Sequence, residues 1–74
     1  MNEYTERKMT ALIGMLKHTS LTKEDIIVLC ACLESEQAAD EIVDLLRGNK
    51  ERLKEIPQQQ MLNKCVKIIM KHQE

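Results

Sequence analysis

Apolar residues recur along this chain at helical spacing, and one stretch is apolar throughout. Residues 26–33 read Ile-Ile-Val-Leu-Cys-Ala-Cys-Leu, with charged residues directly before and after them. Each residue of a helix is rotated by about 100° from the last, so a helix formed by this stretch has apolar side chains on every side. Such a helix must be covered all the way round, by its own chain or by a partner.

This stretch is predicted to form a helix over Thr22–Glu34. Thr22 is the expected N-cap, two acidic residues follow in the first turn, and Leu21 can pack onto Ile26 as a hydrophobic staple. A short apolar run is also compatible with a buried strand. A helix is favoured because no other segment resembles a strand that could pair with it.

The first and last helices are predicted from their amphipathic periodicity. The first spans Glu3–His18, with Asn2 as its candidate N-cap, and the last spans Pro57–His72, because proline suits the first turn of a helix. The apolar side of the first helix consists of Tyr4, Met9, Ala11, Leu12, Ile13, Met15 and Leu16. The apolar side of the last helix consists of Met61, Leu62, Cys65, Val66, Ile68, Ile69 and Met70.

Another helix is expected to begin after the N-cap Ser35 and to run to Arg47. The pair Gly48-Asn49 is expected to end it with a left-handed residue. Residues 49–56 then form a short helical turn or an irregular segment, which Leu53 and Ile56 anchor.

The predicted fold class is therefore all-α. We expect one domain, residues 1–74, forming a small helical bundle of three long helices plus one short helical segment around 49–56, with the helix of residues 22–34 at its centre. Tyr4 is the single aromatic residue, so the core must be built from aliphatic residues and five methionines. A chain of this size hides only about 60% of its unfolded surface, which favours oligomerisation as an added source of stability.

The central helix supplies the surface for such association. If its residues Ile26, Leu29, Cys30 and Leu33 face the core of the chain, then Val28, Ala31 and Cys32 point elsewhere and are the predicted apolar interface. The chain has little material left to cover them, so a homodimer is expected.

Charge is distributed unevenly, although the net charge is only −1. Residues 21–47 contain seven acidic and two basic residues, whereas residues 48–74 contain three acidic and six basic residues. The acidic residues Glu36, Asp40, Glu41 and Asp44 lie on one helix face, which is either solvated surface or a docking stripe for a basic partner. The stripe Lys64, Lys67 and Lys71 on the last helix could pair with this face within a dimer.

Nucleic-acid binding is the alternative function, through the stripe Lys64, Lys67 and Lys71. The helices on either side of Ser35 resemble a helix-turn-helix, but the second of them would present carboxylates to the phosphate backbone, so DNA binding by this pair is rejected. The basic stripe lacks aromatic residues on which bases could stack.

No motif indicates catalysis, so a non-enzyme is expected, without a cofactor or metal. Cys30 and Cys32 would point about 200° apart on a helix and could not hold one ion together. A thiol or metal site that also uses Cys65 is a third hypothesis, but small buried hydrophobic residues are the simpler interpretation of all three. His18 and His72 are expected to be structural.

The start of the chain, Met-Asn-Glu-Tyr-Thr-Glu, is too polar for a signal peptide, and the eight-residue apolar stretch is far shorter than the ~20 residues that span a bilayer. A cytoplasmic protein with reduced thiols is expected.

Residues 21–27, Leu33, residues 35–38 and Leu45-Leu46 together resemble small uncharacterised helical proteins of Firmicutes phages and mobile elements. The resemblance covers under half of the chain and carries over no functional residue. It implies an accessory protein that acts on a host or defence factor. The leading functional hypothesis is thus a non-enzymatic protein–protein interaction module, such as an accessory or inhibitor protein of a mobile element.

Overall fold

The computed structural model describes residues 3–73 of the chain, with side chains from residue 6 onward. Its four helices are α1 (Glu3–Leu16), α2 (Lys23–Cys32), α3 (Glu36–Gly48) and α4 (Gln58–Lys71). All regular secondary structure in this range is helical, which confirms the predicted all-α helical bundle. The bundle contains four helices of 10–14 residues, and residues 49–56, predicted as a short helical segment beside three long helices, form turns. None of these helices combines the length and the apolar character needed to cross a bilayer.

A capping box fixes the start of α2. Thr22 Oγ1 accepts a hydrogen bond from the backbone N–H of Asp25 at 3.1 Å, and Asp25 Oδ2 accepts one from the backbone N–H of Thr22 at 3.1 Å. These bonds satisfy backbone donors that the start of a helix leaves open. Asp25 Oδ2 also accepts a hydrogen bond at 2.6 Å from Nε2 of Gln58, the first residue of α4. The bond from Gln58, followed by the bond from the Thr22 backbone, lowers the pKa of Asp25 below its ordinary value of 3.8.

The helix α2 ends at Cys32, two residues before its predicted end at Glu34. The chain becomes extended at Leu33 and remains so at Ser35, whose Oγ accepts a hydrogen bond from the backbone N–H of Ala38 at 3.3 Å. An N-cap residue requires a non-helical backbone, so the predicted cap at Ser35 itself prevents α2 from continuing into α3.

The helix α1 is also shorter than predicted and ends at Leu16 instead of His18. The Thr19 hydroxyl donates a hydrogen bond to the Leu16 carbonyl at 2.6 Å and accepts one from the backbone N–H of Leu21 at 3.1 Å. A threonine side chain that bonds to the local backbone in this way competes with further helix. Thr19 is also buried, and these two bonds satisfy its hydroxyl away from water. Its polar character alone does not predict this burial.

The predicted left-handed residue at the end of α3 is wrong. The helix continues through Gly48, and no residue in the described part of the chain has a positive φ. Asn49 follows with φ −123° and ψ 17°; its Nδ2 donates to the Leu45 carbonyl at 2.8 Å and its backbone N–H donates to the Leu46 carbonyl at 3.2 Å. The asparagine therefore satisfies helix-end carbonyls without a left-handed turn.

Residues 49–56 form successive turns, which the buried side chains of Leu53 and Ile56 anchor to the core as predicted. Ser20 Oγ donates a hydrogen bond at 2.7 Å to the Ile56 carbonyl, so this segment is also tied to the α1–α2 connection. Pro57 follows with φ −56°, an angle that its ring imposes, and α4 begins at the next residue.

The helices α1 and α4 each pack against both α2 and α3, so α1 and α4 occupy opposite corners of the bundle. The helices α2 and α3 occupy the other two corners, so the prediction that α2 lies at the centre is wrong. One cluster of aliphatic and sulfur-containing side chains fills the space between them. Its most completely buried members are Leu12, Leu16, Ile42, Leu46, Met61 and Cys65.

Three residues that were assigned to apolar sides are exposed in the structure. Ala11 lies at the surface of α1, and Val66 and Met70 are 38% and 64% exposed on α4. Ala11 and Met70 are each adjacent in sequence to a buried residue and are therefore rotated by about 100° away from it. Because α1 and α4 each pack against only two helices, no neighbouring helix buries these positions. The predicted roles of Asn2 and Tyr4 lie outside the residues whose side chains are described.

We expect Leu29→Asp to unfold the domain. Leu29 is 3% exposed in α2, and burying an unpaired carboxylate costs several kcal/mol, which is comparable to the whole stability of a small domain. Far-UV circular dichroism during thermal and urea denaturation measures the loss. The matched control is Val28→Asp, which places the same charge on the next residue, 58% exposed, and should leave the chain folded. Equal stability of the two variants would contradict this packing of α2.

Candidate functional site

The face of α2 that points away from the bundle is apolar. Ile27 and Val28 are each 58% exposed, and Ala31 and Cys32 are exposed beside them. Residues four apart on a helix lie on the same side, so Ile27 with Ala31 and Val28 with Cys32 form two adjacent rows. These four residues are called the α2 apolar face below.

The structure thus places the three predicted interface residues, Val28, Ala31 and Cys32, together at the surface. Ile27 belongs with them, although the sequence-based interface omits it. The signal that identifies it is its position four residues before Ala31. The residues assigned to the core side of the helix are either buried or packed against the core: Ile26, Leu29, Cys30 and Leu33.

A groove between α1 and α2 adjoins this face and has a volume of about 660 Å³. Ile27 belongs to both surfaces, and the exposed side chains of Lys17 and Lys23 also line the groove. The apolar part of its lining consists of Ile13, Leu21, Ile26, Ile27 and Cys30. The apolar surface therefore continues from α2 onto α1.

The predicted acidic face lies on α3, but at least two of its four carboxylates are bound by the chain itself, and Glu36 also has an interaction partner. Lys8 Nζ of α1 is 2.9 Å from Asp40 Oδ1, and Glu41 contacts the end of α4. Glu36 and Asp44, the other two members, have exposed side chains. The acidic face is thus partly used to hold α1 and α4 against α3.

Glu41 makes the densest set of polar contacts on α3. Lys71 Nζ donates to its Oε1 at 3.1 Å and to its Oε2 at 3.3 Å, and His72 Nε2 lies 2.7 Å from Oε1. The hydrogen bond with His72, followed by that with Lys71, lowers the pKa of Glu41 below its ordinary value of 4.5. His72 is half-buried at this contact, and its role in joining α4 to α3 agrees with the structural role expected for it.

The predicted basic stripe lies along α4, with Lys64, Lys67 and Lys71 all exposed. Lys71 pairs with Glu41 of the same chain. Neither Lys64 nor Lys67 forms an ion pair with any carboxylate in the described part of the chain. The stripe therefore retains two charges that are available to a partner.

The three cysteines differ in exposure. Cys32 is exposed, Cys30 is half-buried, and Cys65 is buried in the core. Burial raises the pKa of Cys30 above its ordinary value and raises the pKa of Cys65 to about 11. No group of three or more histidine, cysteine or acidic side chains in the described residues is arranged to hold a metal ion.

Cys32 and His72 line the same cleft, of about 410 Å³, between the end of α2 and the end of α4. A nucleophile–base pair requires a hydrogen bond between the two groups. Among the described residues no such bond joins them, and His72 Nε2 instead contacts Glu41. The cleft therefore holds the two residue types without the contact that would activate the thiol.

Comparison of the chain with protein-family models, with curated proteins and with solved structures finds no match in any of the three.

We expect the three thiols to react at three distinct rates. Thiolate is the reactive form, so the exposed Cys32 should react first with Ellman's reagent at about pH 8, the half-buried Cys30 more slowly, and Cys65 only after denaturation. Absorbance during the reaction measures the phases. Cys32→Ser should remove the fast phase; a fast phase that persists in this variant would contradict the exposure assigned to Cys32.

We expect Glu41→Gln to reduce stability at neutral pH and to have less effect in acid. The native pKa of Glu41 lies below its ordinary value of 4.5, so its ionised form stabilises the fold above that pH, and this contribution disappears as the pH falls through the native pKa. Urea denaturation from pH 7 to about pH 3 measures the difference between variant and wild type. Glu55→Gln is the control, because its exposed ion pair with Arg52 is 3.7 Å long and should contribute little at any pH. A constant difference for Glu41→Gln across the range would contradict this role.

Proposed function

We propose that the chain is a non-enzymatic protein–protein interaction module that binds its partner through the α2 apolar face. One observation carries this proposal: Ile27 and Val28 are each 58% exposed in the middle of the most apolar stretch of the chain. On α3 the exposed side chains are polar or charged; they are Glu36, Gln37, Asp40, Asp44 and Arg47. The outer side of α2 therefore differs in character from that of its neighbour in sequence.

Leaving these side chains in water has a cost. Complete burial of a valine or isoleucine side chain contributes about 1.5–3 kcal/mol, so exposing more than half of each forgoes roughly 1 kcal/mol per residue. Single exposed apolar residues are common on protein surfaces, but contiguous apolar patches mark interaction sites. The α2 apolar face and the groove beside it form such a patch, since Ile27 contributes to both.

The other two candidate surfaces support this function less well. Two carboxylates of the acidic face already form ion pairs within the chain. For nucleic-acid binding, the alternative function, the basic stripe offers two lysines outside internal ion pairs, whereas specific binding to DNA draws on many phosphate contacts. Among the described residues, the α2 apolar face has no comparable internal partner.

The partner that we propose first is a second copy of the chain. In an antiparallel pair of α2 helices around a two-fold axis, each Ile27 and Val28 would contact the same residues of the other copy. Lys23 at one end of the helix would then lie near Glu34 of the second copy, which is a complementary pair of charges. A dimer of this kind covers the side of α2 that its own chain leaves open.

We further propose that the protein acts in the cytoplasm as an accessory or inhibitor protein of a phage or mobile element, on a host or defence factor. The support for this setting is the resemblance carried by residues 21–27, Leu33, residues 35–38 and Leu45-Leu46. The α2 apolar face is the surface through which the protein would act.

We expect light scattering coupled to gel filtration to show a dimer for the wild type and a monomer for the double variant Ile27→Lys, Val28→Lys. An apolar interface should persist in high salt, whereas a dimer formed between the acidic and basic stripes should dissociate. The measurement is therefore made at low and at high ionic strength.

The matched control for this experiment is Gln59→Lys with Asn63→Lys, which adds the same two charges at exposed positions of α4 and should not change the dimer. A wild type that is monomeric at every concentration would contradict self-association. If wild type and the α2 variant then captured the same host proteins from a lysate, the proposed function of the α2 apolar face would be wrong as well.

A further inference from the structure

A groove between α3 and α4 has no role in the proposed function. Its volume is about 630 Å³, within the size range of ligand sites, and apolar atoms form most of its lining. The half-buried side chains of Leu45 and Ile68 line it together with Met70, which is 64% exposed. This surface is called the α3–α4 groove below. It contains none of the four residues of the α2 apolar face.

The charges around this groove are almost all positive. Lys64, Lys67 and Lys71 line it from α4, and Glu41 is the single acidic residue among the described residues of its lining. The Glu41 carboxylate is already neutralised by Lys71, which contacts both of its oxygens. The ammonium groups of Lys64 and Lys67 thus set the net charge of the groove.

We propose that the α3–α4 groove binds an amphipathic helix of a partner protein, one whose apolar stripe is flanked by aspartate and glutamate. Apolar side chains of that helix would cover Leu45, Ile68 and Met70, and its carboxylates would pair with Lys64 and Lys67. A helix that lies between two others presents anchors at positions i, i+3 or i+4, and i+7. The distance along α4 from Lys64 to Lys71 is about 10 Å, or two helical turns, which matches this spacing.

The composition of the groove favours a helix over other anionic partners. A phosphate backbone would leave the apolar floor of Leu45 and Ile68 without a complementary surface, and none of the described residues that line the groove is an aromatic on which bases could stack. A flat membrane surface would contact the exposed side chain of Met70 but would reach the half-buried side chains of Leu45 and Ile68 less well than a helix lying along α4. An acidic amphipathic helix satisfies both the shape and the charge.

The probe for this proposal is a fluorescein-labelled synthetic helical peptide of about 18 residues, with leucine at helical spacing and glutamate on both flanks of the leucine stripe. A second peptide carries lysine in place of every glutamate. Fluorescence anisotropy with the full 74-residue chain measures both affinities. We expect saturable binding of the glutamate peptide only.

Variants then locate the binding site. Lys64→Glu with Lys67→Glu should weaken binding of the glutamate peptide about tenfold or more, since it removes two charge pairs and adds repulsion. The matched control, Lys50→Glu with Lys54→Glu, makes the same change at exposed residues outside the groove and should alter the affinity less than about twofold. Met70→Ser, which keeps the charge and alters an exposed residue, should also weaken binding, because it removes part of the apolar lining.

The results that would overturn the proposal are distinct from failure of the α2 interface. They are absence of saturable binding up to about 1 mM, equal losses in the two lysine variants, or equal binding of the two peptides. Stronger binding of a DNA duplex or of phosphatidylserine vesicles, lost in the groove variant, would assign the groove to another class of partner. The double variant at Ile27 and Val28 should bind the glutamate peptide as the wild type does, because those residues lie outside the groove.

Discussion

The packing of this structure depends on how much of the apolar surface of α2 the other helices bury. Its two neighbours, α1 and α4, bury Ile26 and Leu29, while Ile27 and Val28 remain more than half exposed. A helix that is apolar on all sides needs neighbours around its whole circumference, and α3 lies at the opposite corner of the bundle. One side of α2 thus adds Ile26 and Leu29 to a core whose most completely buried residues lie on the other three helices, and the other side leaves an apolar patch at the surface. Both follow from one eight-residue apolar stretch that α1 and α4 cover on one side only.

Carboxylates hold the fourth helix in place at both ends. Asp25 accepts a hydrogen bond from Gln58 at the start of α4, and Glu41 bonds to Lys71 and His72 at its end. Both carboxyl groups have lowered pKa values because these partners favour the ionised form. The middle of α4 is fixed instead by its buried apolar residues. The α3–α4 groove lies along the second half of α4, from Lys64 to Lys71, so an occupant could bind there without disturbing the contact between Asp25 and Gln58 at the other end of the helix.

The helix starts were predictable because their signals are local. The hydroxyls of Thr22 and Ser35 each accept a hydrogen bond from the backbone N–H of the residue three positions later. Residues that form such caps can be recognised from the sequence alone. The helix ends were less predictable. After α1, the hydrogen bonds of Thr19 to the local backbone compete with continuation of the helix. After α3, the bonds of Asn49 replace the left-handed residue that the sequence predicts. Exposure at the edge of an amphipathic face, as at Met70, depends on which neighbours a helix has. Most of the α2 apolar face could be predicted because it follows from helical spacing within one segment. The contact between Glu41 and His72 could not, because it joins residues 31 positions apart on different helices.

Binding at the α2 apolar face and binding in the α3–α4 groove are driven by different physical forces. The two binding events should therefore respond differently to salt. Burial of the α2 apolar face is driven by removal of apolar area from water and is nearly independent of salt. Binding in the α3–α4 groove draws part of its strength from Lys64 and Lys67, whose fields are screened over about 10 Å at 0.1 M ionic strength. Because no residue is shared between the two surfaces, occupation of one leaves the other open. A dimer formed through α2 would therefore carry two basic grooves, and an acidic partner with two helices of the fitting kind could bind both at once, which raises its affinity without any new contact.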